Sequence, residues 1–309
     1  MKRKPNKRNN PFSKFYNKKP QKADYNEEEK KPPLDHNKSV NKSFKKKRFS
    51  KTDNKRLSEN KENEIKQTHT ATPEENMRLN KYIAHSGICS RRKASEYIKN
   101  GAVKVNDKIE TEMGYKVQKN DIVKFQDKVI QPTKNHVYIL LNKPKNVITT
   151  LKDENNRKTV LDFVSELTKE RIYPIGRLDR NTTGLLLLTN DGRFAQKLSH
   201  PSFEVKKVYK TTLNKALSTK DLEKIRNTLH LEDGPAPVDA IEYGNSKKIV
   251  GIEIHIGRNR IVRRIFEHLG YEVKKLDRVR YSSLTKKNLP VGKCRFLSDT
   301  ELIELKHLL

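Results

Sequence analysis

The 309-residue sequence predicts an α+β protein with three parts: a disordered basic tail, a small domain of helices and a β-hairpin, and a larger domain built on a mainly antiparallel mixed sheet. Three observations support this prediction. Residues 1–76 contain only 13 apolar side chains, too few to offset the entropy of ordering that segment. From residue 77 onward, apolar residues recur at helical spacing. After residue 134, strand and helix patterns are interspersed without a regular βαβ repeat. We therefore predict domains at 77–134 and 135–309.

Charge and cysteine content restrict the class of protein. The chain carries 68 Lys+Arg and 38 Asp+Glu, and residues 77–309 alone have a net charge of +19. A folded body this basic favours a polyanionic partner, with nucleic acid ahead of a membrane surface. The two cysteines, Cys89 and Cys294, exclude a disulfide scaffold and fit a reduced, cytoplasmic setting. The apolar runs of four or five residues are too short to span a bilayer, so we expect a soluble protein.

The small domain begins with two short helices and continues into a hairpin. Leu79, Tyr82 and Ile83 have the i, i+3, i+4 spacing of an apolar helix face. Ser90 is a suitable N-cap for the second helix, and Gly101 is placed to end it. An Asn-Asp pair between two short apolar runs then predicts a turn and a return strand.

Three cations occupy the first turn of the second helix: Arg91, Arg92 and Lys93. The helix dipole already places positive potential at this end, so cations there are unfavourable without a compensating anion. Three together indicate that an anion binds both to the side chains and to the free backbone N–H groups. The alternative is a solvated basic face.

The larger domain is predicted from shorter patterns. An apolar run that precedes Pro144 predicts a strand, and we expect a second strand after the turn. The segment at 171–192 predicts a strand, a polar loop and a fully buried strand. The further predicted elements are helices at 193–198, 220–228 and 261–269 and a half-buried strand at 249–256.

Asp179 is the carboxylate best placed for chemistry. It lies in a Gly- and Thr-rich loop before the buried strand, between Arg177 and Arg180, and neighbouring cations favour the ionised form. An ionised, rigidly held carboxylate suits a nucleophile better than a general acid. The alternative is a loop Asp in a structural ion pair. Asp191 sits in an Asn-Asp-Gly turn signal, for which the structural interpretation is stronger. The loop has no phosphate-binding glycine motif, so nothing supports nucleotide hydrolysis.

Several motifs resemble one family. Residues 77–124 are similar to the S4-type RNA-binding domain, with an SRRKA helix start. Downstream, the chain carries NKPKNVITT, RIYPIGRLDRNTTGLLLLTNDG, LSHPSFEVKKVYK, GRNRIVRRIFEHLGYEV and KLDRVRYSSL. Together these resemble the RsuA family of bacterial rRNA pseudouridine synthases, and among its members the type-B enzymes that act on the large ribosomal subunit. The resemblance covers nearly all of residues 77–309.

The resemblance implies roles for individual residues. It makes Asp179 the catalytic nucleophile, Tyr209 the aromatic residue that contacts the base, and Arg263 the cation that pairs with the catalytic carboxylate. Arg177 would fill the space that an extruded base leaves. The residues expected to bind RNA are Arg177, Arg91, Arg92, Lys93, Arg258 and Arg260.

The resemblance also implies partners. We expect isomerisation of uridine to pseudouridine in 23S rRNA, acting on ribosomal RNA or a ribosome-assembly intermediate, by a cytoplasmic enzyme that is a monomer. No cofactor, metal or membrane is expected. The alternatives are an enzyme that modifies the 16S rRNA of the small subunit, or a non-catalytic RNA-binding assembly factor. Such a factor would not need Asp179, Tyr209 and Arg263 together.

Two positions depart from the family's pattern. Ile256 stands where the family usually has Glu, and Ile261 where it has Gln. Both changes replace a polar group with an apolar one, so we expect altered hydrogen bonding around the site with the Asp179–Arg263 pair intact.

Overall fold

The computed structural model describes residues 76–309. The predicted disordered tail, residues 1–76, therefore lies outside the described residues apart from Asn76, and its prediction stays a prediction. Within residues 76–309, no helix is both long enough and apolar enough to cross a membrane.

The first part of the described chain contains two helices and two small sheets. Strands β3-β2-β5-β6 form a four-stranded antiparallel sheet, and β1 pairs with β4. Its apolar side chains form a separate core between the helices and the sheets. The elements are β1 (Met77–Arg78), α1 (Leu79–His85), α2 (Arg91–Lys99), β2 (Val103–Val105), β3 (Lys108–Ile109), β4 (Lys116–Val117), β5 (Val123–Phe125) and β6 (Lys128–Val129).

Local signals in this region gave the elements that were predicted. The hydroxyl of Ser90 accepts a hydrogen bond from the Lys93 N–H at 3.2 Å and so caps α2. Asn106 and Asp107 both have positive φ, at 50° and 65°, which is the conformation that a tight two-residue hairpin turn requires. The helices and the hairpin therefore follow from short-range chemistry.

The second part is organised around one nine-stranded sheet, flanked by four helices. The main path is β13-β14-β10-β15-β9-β7-β17, with β8 paired to β9 and β16 to β15. The elements are β7 (Tyr138–Lys143), β8 (Tyr173–Pro174), β9 (Thr182–Thr189), α3 (Gly192–Ser199), β10 (Lys207–Leu213), α4 (Thr219–Arg226), β11 (Leu229–Leu231), β12 (Gly234–Ala236), β13 (Ala240–Tyr243), β14 (Ile249–Ile254), α5 (Ile261–His268), β15 (Val273–Tyr281), β16 (Leu284–Thr285), β17 (Cys294–Phe296) and α6 (Asp299–His307).

The pairings in the sheet confirm the predicted α+β class. Every strand pair in it is antiparallel except β15 with β9, which is parallel. The four successive leucines of β9 explain why this strand is apolar without alternation. Leu186 and Leu188 enter one core cluster, whereas Leu185 and Leu187 enter a second cluster on the opposite face of the sheet. The loop that carries Asp179 thus leads into a strand that is buried at all but one position.

One predicted strand is wrong. After β7 and the turn at Pro144, the structure has only an isolated bridge between Ile148 and Thr159 instead of a second strand. The hydroxyl of the next residue, Thr149, bonds the backbone of Leu178 at 2.8 Å. A tertiary contact to the Asp179 loop takes the place of the second strand that we expected after the turn.

Candidate active site

The loop between β8 and β9 places Asp179 at the end of the central sheet. The Thr149 hydroxyl donates to the Leu178 carbonyl at 2.8 Å and lies 3.3 Å from the Leu178 N–H, which donates to it. The Asn146 N–H donates to the carbonyl of Arg180 at 2.8 Å. The backbone on either side of the carboxylate is therefore held by bonds from a neighbouring segment.

The cations near Asp179 come from α5 and its preceding turn. Arg263 Nε lies 3.7 Å and Arg260 Nη1 lies 3.9 Å from Asp179 Oδ2. The expectation that Arg177 and Arg180 provide the neighbouring charge is not met, since in the described part of the chain neither lies within 4.0 Å of this carboxylate. The ion pairs of Asp179 therefore come from another element.

Arg263 is nearly buried, with 8% of its surface exposed. Its Nη1 donates to the Val273 carbonyl at 2.8 Å, but its buried Nε has no hydrogen-bond partner. Burial lowers the pKa of Arg263, as does Arg260, whereas Asp179 raises it. The atom left without a partner is the one closest to the Asp179 carboxylate, so a small approach of the two side chains would satisfy it.

Tyr209 lies in β10 and lines the same cavity as Asp179, Arg260 and Ile261. The cavity has a volume of about 180 Å³. The Tyr209 hydroxyl is 3.5 Å from Arg278 Nη1, which donates to it. The cavity walls are formed by Ile175, Gly176, Arg177, Leu178, Asp179, Thr182, Leu198, Ser199, Lys207, Tyr209, Ile256, Gly257, Arg258, Arg260, Ile261, Val262, Leu276, Arg278 and Tyr281.

Three cations near this cavity were not singled out from the sequence. Arg278, on β15, is 3% exposed and donates from Nε to the Leu185 carbonyl at 2.7 Å. Lys207 donates to the carbonyl of His255 at 2.7 Å, and burial, followed by the nearby charge of Arg278, lowers its pKa to about 8. Both lie in the KKVYK and LDRVRY strings, but each string contains further cations, so no local signal singles out these two.

Lys143 is the third cation and is completely buried. Its Nζ donates to the carbonyls of Val147 at 2.8 Å and Pro144 at 3.1 Å. Burial lowers its pKa to about 8, and the charge of Asp179 opposes that shift. This lysine closes the turn after β7 and adds positive potential behind the carboxylate.

The arginines predicted to bind RNA near the cavity differ in their engagement. Arg177 is exposed at the cavity wall. Arg258 is held by the turn between β11 and β12, with a hydrogen bond to the Asp233 carbonyl at 2.8 Å and an ion pair to its carboxylate at 3.0 Å. Arg260 pairs with Glu267 at 3.1 Å as well as facing Asp179.

The two departures from the family's pattern form part of the cavity wall. Ile261 is 5% exposed at the start of α5, and Ile256 packs against the same core cluster. Both side chains line the cavity, and neither can offer a hydrogen bond there. The wall around Asp179 and Arg263 is apolar at these positions, and those two side chains remain together.

The three cations at the start of α2 have different surroundings. Arg91 and Arg92 line a second cavity of about 640 Å³ between the two domains. Lys93 pairs instead with Glu96 at 2.6 Å and lies 5.2 Å from the centre of the Tyr97 ring.

Asp191 has the structural role that its sequence context indicated. Its carboxylate caps α3 by accepting from the N–H groups of Arg193 and Phe194 at 3.1 and 3.0 Å, and it accepts from the Tyr138 hydroxyl at 2.8 Å. In the part of the chain that the structure describes, no group of three His, Cys, Asp or Glu could hold a metal ion.

Comparison with known proteins identifies both parts of the chain. Residues 137–268 match the RNA pseudouridylate synthase family and residues 77–123 match the S4 domain. "Ribosomal large subunit pseudouridine synthase B" of Bacillus subtilis is 44% identical over 236 residues, which is 75% of this chain and 96% of that protein. "Dual-specificity RNA pseudouridine synthase RluF" of Escherichia coli K12 is 36% identical over 239 residues, covering 77% of this chain and 81% of that protein.

A solved structure described as a pseudouridylate synthase agrees with these relatives. It is 27% identical and superposes with a TM-score of 0.55, covering 74% of this chain and 99% of that one. The chain belongs to the RsuA-type RNA pseudouridine synthases that carry an S4 domain, isomerases that convert uridine to pseudouridine in RNA.

Proposed function

We propose that this enzyme modifies a specific uridine of the large-subunit (23S) rRNA, with Asp179 as the nucleophile. The observation that carries the proposal is that Asp179 and Tyr209 line one cavity while Arg263 Nε lies 3.7 Å from the Asp179 carboxylate. The extended similarity to a large-subunit enzyme, over 96% of that protein's length, supports the choice of substrate.

The reaction explains why a carboxylate is needed. The bond between ribose and the ring nitrogen breaks, the uracil turns, and a new bond forms between ribose and a ring carbon. No electron or external group is exchanged, so the chemistry requires no cofactor. The Asp179 carboxylate acts as an anion, either by adding to the uracil ring or by capturing the ribose, and both routes remain open.

The neighbouring side chains have distinct proposed roles. Arg263 compensates the Asp179 carboxylate when a bound uridine covers the site, because an uncompensated charge away from water is costly. The Asp179 side chain is 40% exposed, so exclusion of water from it depends on bound RNA. Tyr209 packs against the flipped base and assists proton removal, while Arg177 supports the gap left in the RNA.

The proposed partner is ribosomal RNA or a ribosome-assembly intermediate, bound by a cytoplasmic monomer. Arg91, Arg92 and Lys93 would supply charge from the S4 domain, while Arg258 and Arg260 would supply it beside the cavity. A small-subunit target is the alternative substrate. Mapping pseudouridines across both rRNAs of a deletion strain would distinguish them, because the rRNA that lacks the modification is the substrate.

Asp179→Asn tests the nucleophile. The change is nearly isosteric, so RNA affinity and melting temperature should be retained while tritium release from labelled-uridine RNA falls to background. Asp299→Asn, an exposed carboxylate in the first turn of α6, is the matched control and should keep full activity. Measurable tritium release by Asp179→Asn would remove Asp179 from the nucleophile role, and a wild-type protein without activity would contradict the proposed substrate.

A further inference from the structure

A second cavity lies in the cleft between the S4 domain and the catalytic domain, and the reaction as proposed does not use it. Its volume is about 640 Å³, more than three times that of the Asp179 cavity. Arg91 and Arg92 line it from the S4 side, and Arg171 and Arg193 line it from the catalytic side. Among the described residues that line it, Glu170 is the one acidic side chain. Both domains therefore direct cations into one space.

Three of these cations lack a counter-ion. Within residues 76–309, no hydrogen bond or ion pair engages the guanidinium groups of Arg91, Arg92 or Arg171. By contrast, Lys93, on the same turn as the first two, is neutralised by Glu96. Guanidinium groups that share a cleft repel one another, so their convergence is unfavourable until an anion arrives, and their planar fork suits phosphate oxygens.

Titration of the neighbouring groups is consistent with a positive potential in the cleft. Burial lowers the pKa of Lys81, and the charge of Arg91 lowers it further. Burial also lowers the pKa of His85, with contributions in the same direction from Lys81 and Arg91. These side chains lie on α1 or at the start of α2 and line the same cleft.

The two sides of the cleft are held together by close contacts. At Gly192, in the first turn of α3, an added Cβ would lie 3.2 Å from both His85 Nε2 and Tyr173 Oη. The S4 helix and the catalytic helix thus approach each other closely, which sets the spacing between the cations on the two sides.

The cleft also adjoins the Asp179 cavity. Ile175 and Ser199 line both, so the two cavities lie side by side. On the basis of the function proposed above, we infer that the interdomain cleft binds backbone phosphates of the RNA strand flanking the target uridine, through Arg91 and Arg92 of the S4 domain and Arg171 of the catalytic domain. The cleft would then align the strand so that the flipped uridine meets Asp179.

The test begins with the full chain and the single variants Arg171→Ala and Arg92→Ala, together with the double variant. Lys220→Ala, an exposed cation on α4 that lines neither cavity, is the control. Unmodified large-subunit rRNA transcript is the probe. Each single variant should weaken Kd roughly fourfold at physiological salt and reduce the slope of log K against log salt by about 0.7, with the double variant losing about 1.4. Lys220→Ala should match the wild type.

Ethylation interference identifies what the cleft holds. Ethyl groups on phosphates within a few nucleotides of the modified uridine should impair binding of the RNA to the wild type. The same ethyl groups should have no effect on binding of the RNA to Arg171→Ala. The proposal is overturned if Arg171→Ala and Arg92→Ala bind like Lys220→Ala, or if the interfering phosphates lie in a remote rRNA helix. Arg171-dependent binding of free uridine monophosphate that is tighter than binding of RNA would assign the cleft to a small ligand and also overturn it.

These outcomes are separable from failure of the proposed function. If the wild type releases tritium from large-subunit rRNA and Arg171→Ala leaves Kd and the salt slope unchanged, the cleft assignment alone is wrong. If the wild type releases no tritium from that RNA but both Arg variants weaken binding, the substrate assignment alone is wrong.

Discussion

Lys143 is a buried side chain that contributes positive charge to the site. Its ammonium group is fully buried, hydrogen-bonded to two carbonyl oxygens, and without a carboxylate in contact, since Asp179 affects it only through charge. Carbonyl dipoles compensate an ammonium less completely than water does, so burial favours the neutral amine. Below about pH 8 the side chain nevertheless stays protonated. Its charge then raises the positive electrostatic potential near Asp179, at some cost to the stability of the fold.

This cost should be visible in the pH dependence of unfolding. The pKa of Lys143 falls from 10.5 to about 8 on folding. The penalty is therefore complete below pH 8, where both states are protonated, and disappears as pH rises toward 10.5. We expect the free energy of unfolding of the wild type, relative to Lys143→Met, to rise by up to about 3 kcal/mol across that interval.

Urea unfolding of both proteins at several pH values checks this prediction. Taking the difference between the two proteins cancels the contributions of Lys207 and all other shared groups. A difference that stays flat from pH 8 to 10.5 would mean that Lys143 is solvated in the folded protein.

At the scale of elements, the parallel contact between β9 and β15 depends on a single glycine. Gly184 has φ of 115°, and a Cβ there would lie 2.3 Å from the backbone oxygen of Arg278. The strands can approach this closely only without a side chain at this position. The same contact sets the position of Arg278, whose guanidinium reaches the Tyr209 hydroxyl.

Gly184→Ala should therefore be strongly destabilising. The clash involves backbone atoms, which cannot rotate away, so we expect a loss of more than about 3 kcal/mol. Gly270→Ala is the matched control, because Gly270 also has positive φ, at 75°, but has open space around its Cβ position. It should lose only about 1–2 kcal/mol. In thermal unfolding, equal melting temperatures for the two variants would contradict the steric argument.

Elements were predictable from the sequence where local chemistry determines them. The cap at Ser90 and the turn at Asn106 and Asp107 depend on residues within a few positions of each other, and each formed as predicted. The strand expected after Pro144 did not form, because Thr149 bonds a loop almost thirty residues away. Such a bond leaves no periodic signal in the sequence.

The same division applies to the candidate site. Asp179, Tyr209 and Arg263 were selected through motifs, and the fold brings Asp179 and Tyr209 to one cavity and Arg263 within 3.7 Å of the Asp179 carboxylate. Arg177 and Arg180 were expected to pair with Asp179 but do not, because residues that are close in sequence along a loop need not have side chains that are close in space. The role of Arg278 could not be read from its motif, since it depends on the register between β15 and its neighbours.

For the whole molecule, the remaining question is what the basic tail adds. Residues 1–76 carry 22 basic and 11 acidic side chains but only 13 apolar ones. A variant that begins at Met77 should keep the melting temperature of the full chain and modify the same uridine, because the S4 domain and the Asp179 cavity lie downstream. Its association rate with rRNA at low salt should fall, because a basic extension increases encounters through long-range attraction.

Stopped-flow association across a salt series measures this effect. The difference between the full and shortened chains should shrink toward physiological ionic strength, where the Debye length is about 8 Å and attraction between separated charges is screened. A full-length variant with 11 of the 22 tail cations changed to glutamine is the control for length, because the 11 acidic side chains then leave a tail without net charge, and it should behave like the shortened chain. If the shortened chain instead lost modification at saturating RNA, or modified another uridine, the tail would form part of the recognition surface. The low-salt rate effect would then be secondary to a specific contact.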